Sequence, residues 1–350
     1  MSETPSRTGS LTSPGPRRSQ GQIVVARALW YVKPGVAELR TERLAAPRPG
    51  EARVATRFSA ISRGTERLVA NGEVPESEWQ RMRAPFQSGA FPYPVKYGYS
   101  ATGVVTSGSD ALLGKTVFCL HPHQDYFQVA EDMLTVVPDH IPPRRATLAA
   151  NVETALNAHW DAGTLPGDKV LVVGAGIVGL LTAYLAQRIA GTDVTVTDID
   201  LGRAGIANVL GLKFAAPDSL AADYGLVFHT SASGAGLETA LNAAAFEGRI
   251  VEMSWYGTRP ATVRLGGAFH SRRLQILSSQ VGHVAPSRRA TVSLRQRLEK
   301  AISLLDDPRL DHLVADGIPF ANAAESIYAV LNAPIAGGCT VFTYPGHQDH

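Results

Sequence analysis

The chain has 350 residues, of which 45% are hydrophobic and 18% charged, enough for two globular units with cores of their own and too apolar for a disordered or fibrous chain. Its 33 basic and 31 acidic residues leave a formal charge of +2, which excludes a broad nucleic-acid or membrane-surface footprint and points to small-molecule chemistry. The two cysteines, Cys119 and Cys339, sit within apolar runs and read as buried thiols in a reducing, cytoplasmic setting.

Residues 1–20, rich in Ser, Pro, Thr and Arg, read as a flexible tail with no apolar core for a signal or a membrane span. Arg17 and Arg18 precede a run that Arg27 interrupts, and that run reads as a first strand, not an export signal. From 21 to 145 the segments IVVARALWYV, VATRFSAIS, ATGVVTSG, KTVFCL and DYFQVA are short β runs separated by Gly and Pro, as in a mostly antiparallel β domain. The polar stretch between Asn71 and Pro92 is expected as a short helix and loop at the rim. Its Trp79, Met82, Phe86 and Phe91 would either cover a bulky apolar substrate or pack as a small helix.

From 146 to 282 the rhythm changes to strand, helix, strand, helix: KVLVVG, IVGLLTAYLAQRIA, DVTVTDID, RAGIANVLG, GLVFHT, GLETALNAAAF, GRIVEMSW and RLQILSSQ. Such alternation predicts an α/β, doubly wound parallel sheet with helices on both faces. Two amphipathic helices, SLRQRLEKAISLL and AAESIYAVLNA, and the strand CTVFTY then return the chain, so that 283–346 belong with 21–145.

Directly after KVLVV comes Gly174-Ala175-Gly176-Ile177-Val178-Gly179, a GxGxxG pattern that opens the next helix. Gly174 permits the tight turn, Gly176 lets the backbone approach a pyrophosphate, and Gly179 lets helix and strand pack closely. Asp198 ends the following strand, where a carboxylate can accept the adenosine ribose hydroxyls and repel a 2′-phosphate, which favours NAD over NADP. Arg203, five residues on, is an alternative phosphate partner that keeps NADP open.

The sequences RPGEARVATRFSAISRGTE, PVKYGYSATGVV, VGAGIVGLL and TDIDLGRAGIANVLG resemble the medium-chain dehydrogenase/reductase superfamily, over about Ile23 to Tyr344. ISRGTE, NVETALNA and SSQVGHV are similar to the subgroup that includes bacteriochlorophyllide dehydrogenase. The resemblance implies a GroES-like β-rich catalytic domain beside a Rossmann domain, and a homodimer. It also implies a catalytic zinc in zinc-type members, but Ser62 or Arg63 stands at the cysteine position, Tyr99 at the histidine, and Ala150 at the third ligand, with Glu153 three residues on. These supply no thiolate, imidazole or carboxylate, and four clustered cysteines for a structural zinc are missing, so zinc is not expected. A displaced site built from His121, His123 and Glu66 or Glu153 is the alternative to a hydrogen-bonded histidine pair.

Without a metal, a side chain must handle the substrate proton or stabilise the oxyanion. Tyr99 is the first candidate, set against a packed aromatic. Glu66 and Arg63 flank the GT turn, which faces the cleft in this superfamily, as a proton relay or as an ion pair that pins the loop. Thr65 is a candidate hydroxyl relay, and His283 follows a sheet strand near the carboxyl end where α/β sheets bind ligands. Arg272 and Arg273 precede the same strand as a conceivable anion site. The expected activity is hydride transfer between nicotinamide and a secondary alcohol or its ketone. The alternatives are NADPH-dependent reduction of an enone or quinone and a catalytically silent NAD(H)-binding protein.

Overall fold

In the computed structural model, which describes residues 23–333 and 338–345, the β-rich first third folds into short strands and the alternating middle into one parallel sheet. The expected tail at 1–20 lies outside the described residues. Strands β1 (Val24–Lys33), β2 (Val36–Leu44) and β3 (Glu51–Ala60) lead to helix α1 (Arg63–Ala70). Then come β4 (Ser88–Gly89), β5 (Val95–Lys96), β6 (Ala101–Ser107), β7 (Thr116–Cys119), β8 (Tyr126–Ala130) and β9 (Thr135–Val136). Helices α2 (Pro143–Ala146) and α3 (Ala149–Ala162) carry the chain to β10 (Lys169–Val173), α4 (Ile177–Ala186), β11 (Asp193–Thr197), α5 (Ala204–Val209) and β12 (Lys213–Ala215). The parallel unit continues through β13 (Tyr224–His229), α6 (Gly234–Ala243), β14 (Ala244–Glu252) and β15 (Gln275–Ser278). Helix α7 (Leu294–Ser303), β16 (Val314–Pro319), α8 (Ala323–Asn332) and β17 (Cys339–Thr343) close the chain.

Strand β3 pairs antiparallel with β6, β8 and β17, so the last strand of the chain returns to the first unit. A four-stranded sheet, β2-β1-β5-β4, lies beside this seven-stranded one. The parallel sheet runs β12-β11-β10-β13-β14-β15. Its centre shows why the strands read as unbroken apolar runs: Val170 and Val172 of β10 join the cluster that includes α3 and α4, while Leu171 and Val173 join the one that includes α6. Each fully buried side chain of this kind contributes roughly 1.5–3 kcal/mol relative to exposure.

The two units meet where the chain leaves β14. Trp255 packs into the apolar cluster of the first unit, Thr258 N donates to Glu73 O at 2.9 Å, and Arg259 pairs with Glu73 at 3.7 Å. Among the described residues no helix is long and apolar enough to cross a membrane.

Some expectations are corrected here. The helical part of the 71–92 stretch is a single turn of 3-10 helix at Glu76–Glu78, followed by the short strand β4. Phe91 is buried and Trp79 packs against the same cluster, its Nε1 donating to Val74 O at 3.0 Å, so these two aromatics belong to the core and not to a cover. Helix α1 begins inside ISRGTE, where the sequence reading has a turn. Arg272 donates to the carbonyls of Asn242 and Ala244, and Arg273 pairs with Glu247 at 3.0 Å. Both stand before β15, at the amino ends of the parallel strands, on the opposite edge of the sheet from the glycine bend, so they do not form an anion site at the crevice.

Candidate active site

Strand β10 runs directly into the bend Gly174-Ala175-Gly176, and Gly176 caps α4 in extended geometry. A Cβ at Gly179 would stand 1.8 Å from Gly174 O, so only glycine allows the helix to seat against the strand, whereas a Cβ at Gly176 would meet open space. The first N–H groups of α4, from Ile177 onward, have no partner within the helix. Open room, free donors and the positive helix end together fit a dinucleotide diphosphate. Asp198, one residue past β11, is fixed against this bend: its Oδ2 accepts from Ala175 N at 2.7 Å and its Oδ1 from Asp200 N at 2.9 Å. Arg203 Nη1 stands 2.9 Å from the same Oδ2 and its Nε 3.4 Å from Asp200.

Tyr99 lies between β5 and β6 and packs against two apolar clusters, one within the first unit and one that runs from Phe58 and Phe118 of that unit to Val170 and Leu180 of the parallel unit. Its hydroxyl donates to Ser62 Oγ and stands 3.2 Å from Thr65 Oγ1, and both partners come from the start of α1. Burial pushes the Tyr99 pKa up to about 12, with the two hydroxyl partners pulling it back and the Glu66 charge adding to the rise. At neutral pH the phenol is therefore a donor. Two expected residues, Tyr99 and Thr65, thus form one group of hydroxyls with Ser62, one of the two residues that could stand at the cysteine position.

Glu66 is elsewhere. It is fully buried and does not face the cleft, because α1 turns it onto the same inner face as Val69 and Ala70. Its Oε1 accepts from Ser62 N at 2.7 Å, and its Oε2 accepts from Tyr31 OH at 2.9 Å and lies 3.0 Å from His123 Nε2. His123 Nδ1 continues to Ser59 Oγ at 2.7 Å, which meets Tyr344 OH at 2.7 Å. Its partners are therefore these groups and not Arg63, whose guanidinium instead reaches the carbonyls of Leu331 and Ala333. Burial and the neighbouring Arg67 and Arg203 lower the Arg63 pKa.

His283 is exposed, in the loop after β15, and its carbonyl accepts from Arg297 Nη1 at 3.0 Å; its ring is not part of the Tyr99 group. Arg297, on α7, is almost fully buried, pairs with Glu153 at 3.1 Å and donates to Asn157 Oδ1 at 2.6 Å. Glu153 is thereby engaged as the anchor of that loop. His121 stacks on Phe127 with ring centroids 4.1 Å apart. Among the described residues no three His, Cys, Asp or Glu side chains gather in a way that could hold a metal ion. Hydroxyls of Ser, Thr and a strongly protonated Tyr do not fit the thiolate, imidazole and carboxylate set that zinc takes.

No protein-family model matches the chain. Its structure is similar to that of a short chain alcohol dehydrogenase from E. coli CFT073 complexed with cofactor NADH, with a TM-score of 0.71 at 17% identity over 91% of this chain and 99% of that one. Escherichia coli L-idonate 5-dehydrogenase gives a TM-score of 0.74 at 14% identity, covering 93% of this chain and 100% of that one. The chain has the fold of these dehydrogenases. In sequence, L-threonine 3-dehydrogenase of Chelativorans sp. is 34% identical over 93 residues, 25% of this chain and 26% of that protein. The match thus spans about a quarter of that curated relative. These likenesses support the resemblance to the medium-chain, zinc-type alcohol dehydrogenase-like superfamily at the level of fold and sequence.

Proposed function

We propose that the protein is a nicotinamide-dependent oxidoreductase that moves a hydride between its coenzyme and a secondary alcohol or the corresponding ketone, and that it does so without zinc. The observation that carries this reading is the Tyr99 hydroxyl, held by Ser62 and Thr65, on a ring packed against the cluster that joins the two units. The bend from Gly174 to Gly179 would hold the diphosphate and Asp198 the adenosine ribose. Bound nicotinamide supplies the hydride acceptor for oxidation and the donor for reduction.

The chain's own residues handle the oxygen. Tyr99 turns its single proton from Ser62 Oγ to the substrate oxygen: in oxidation it stabilises the negative charge left there once the alcohol proton has passed to solvent, and in reduction it gives that oxygen its proton and is reprotonated by solvent. With its pKa near 12 it does not act as the resting base. Ser62 and Thr65 orient it, and α1, which carries both at its start, is fixed from beneath by the Glu66 network. NAD is the expected coenzyme, and the Arg203 partner of Asp198 leaves room for NADP. The substrate is a small molecule, the setting cytoplasmic and the assembly a homodimer; neither nucleic acid nor membrane takes part.

The test is a panel of secondary alcohols, ketones, enones and quinones, assayed with both coenzymes. Alcohol-dependent formation of reduced nicotinamide is expected. Oxidation of NADPH by enones or quinones alone, or binding of NADH with no turnover on any class, overturns the reading.

A further inference from the structure

At the carboxyl ends of β13 and β14, a second group of polar side chains plays no part in the Tyr99 group. His229 and Glu252 end these two strands and are direct neighbours in the parallel register. His229 is fully buried, with Nδ1 2.7 Å from Glu252 Oε2 and Nε2 2.7 Å from Ser231 Oγ. Glu252 also accepts from Tyr256 OH at 3.0 Å and from Ser254 N at 2.8 Å. Burial alone would raise its pKa, but His229 and the Ser254 hydrogen bonds more than offset this and hold it below the ordinary value, so it is a carboxylate at neutral pH. A carboxylate only accepts, so Nδ1 of His229 carries the ring proton and Nε2 offers its lone pair to the Ser231 hydroxyl. Ser231 is the exposed end of this line. Its Oγ stands 3.1 Å from Ser233 Oγ, the N-cap of α6, which accepts from Gly236 N at 3.0 Å. Gly236 leaves the space for the arrangement, since a Cβ there would stand 2.1 Å from Ser231 Oγ and 2.9 Å from His229 Nε2.

A hydroxyl, an imidazole and a carboxylate in this order and at these distances are what nucleophilic attack by serine requires. The base touches the hydroxyl, and the acceptor at the far ring nitrogen fixes the tautomer and stabilises the imidazolium that forms. We propose that Ser231 is an acyl-accepting nucleophile, with His229 its general base and Glu252 the residue that positions the imidazole, and that this site cleaves small activated carboxylic esters. Ser231 Oγ attacks the ester carbonyl and its proton passes to His229 Nε2. The bond from the carbonyl carbon to the alcohol oxygen then breaks, and that oxygen leaves with the proton. Water attacks the acyl-serine in turn, gives a proton to Nε2, and the free acid departs as Ser231 Oγ takes that proton back. Helix α6 starts three residues after Ser231, and its first N–H groups, which have no partner within the helix, are the donors available to the oxyanion. His229 is buried behind Ser231, so water reaches Nε2 less readily than an ester reaches Oγ, and the acyl-serine accumulates. No hydride or coenzyme enters these steps, so the proposal is independent of the dinucleotide reading. Thr230 Oγ1 donates to Gly174 O at 3.0 Å, which ties the site to the glycine bend, and the assay therefore omits coenzyme.

The experiment mixes the whole protein, free of coenzyme, with p-nitrophenyl acetate. A burst of about one equivalent of p-nitrophenolate per chain is expected, followed by slower turnover, with an acetyl group on Ser231 in the peptide mass map. An alkyl fluorophosphonate, which bonds to Oγ through phosphorus and releases fluoride, should label the same residue. Ser231→Ala, a change at an exposed position, should remove both the burst and the label. Glu252→Gln keeps the shape of the pair, but its amide donates to Nδ1 and so moves the ring proton to Nε2. Labelling should then run about 100-fold more slowly and still go to completion, whereas a purely structural role would lower the extent and leave the rate. No burst and no label in the unaltered protein, label on a residue other than Ser231, or an unchanged rate in Glu252→Gln overturns the proposal.

Discussion

Arg203 holds its guanidinium 2.9 Å from the Asp198 carboxylate, so the acid that would repel a 2′-phosphate is already paired. Coenzyme choice then depends on the pair and not on the acid alone. Asp198→Ala should weaken NAD more than NADP, since it removes the ribose acceptor and leaves the guanidinium free. Arg203→Ala should sharpen the preference for NAD about tenfold by unmasking the carboxylate. Dissociation constants for the four coenzyme forms measure both, and equal losses for NAD and NADP in Asp198→Ala would remove its ribose role.

Tyr99→Phe should lower kcat on the order of 100-fold with little change in NADH affinity, as expected for a donor that acts on the developing oxyanion. Ser62→Ala should cost less, because Thr65 still holds the phenol at 3.2 Å. With the Tyr99 pKa pushed up to about 12, the rate should show no alkaline decline from this group between about pH 8 and 10.

The hydroxyl set at Tyr99 predicts that purified protein carries substoichiometric zinc and keeps its turnover in chelator. Metal analysis and assay before and after chelation check this. A firmly held equivalent whose removal stops turnover would reverse the mechanism.

Arg297 and Glu153 form a buried ion pair beneath the loop that carries His283. Burial pushes the Glu153 pKa up and the guanidinium pulls it back, so removing the arginine strands the acid. Arg297→Ala should lower stability by about 3–5 kcal/mol, and adding Glu153→Leu should restore part of the loss. Urea unfolding of the single and double variants measures the coupling.

Two buried histidines set the acid side of the stability profile. Burial lowers the pKa of His121 to about 3 and that of His159 to about 4, so each is neutral in the fold and charges only in the unfolded chain. Their contribution is full above the ordinary value of 6.5 and is lost as the pH falls toward these lower values. By pH 5 each should have given up roughly 2 kcal/mol. Unfolding at pH 7 and pH 5 should show the drop, and His159→Gln should flatten its share.

What the sequence disclosed and what it hid follow from the distance over which each pattern acts. The run from Lys169 to Gly179 carries its own signals, an apolar strand, glycines at fixed steps and a helical repeat, so the bend was readable from one window. The same holds for β11 and for Asp198 behind it. Helix α1 has only eight residues, too few for its repeat to show, so the inward turn of Glu66 was not readable and the carboxylate was expected in the cleft. Its partners Tyr31 and His123 come from β1 and from the loop between β7 and β8. The His229–Glu252 pair was hidden for a similar reason, since it exists only through strand register. A histidine closing an otherwise apolar strand, VFHT, was the one visible sign.

The crossing at Thr258 and Glu73 has a bearing on motion. A rigid rotation of one unit against the other that preserves this hydrogen bond must turn about an axis passing near it. Glu73 follows closely on α1, whose first turn carries Thr65, so the phenol's partners and this crossing between the units lie on one short stretch of chain.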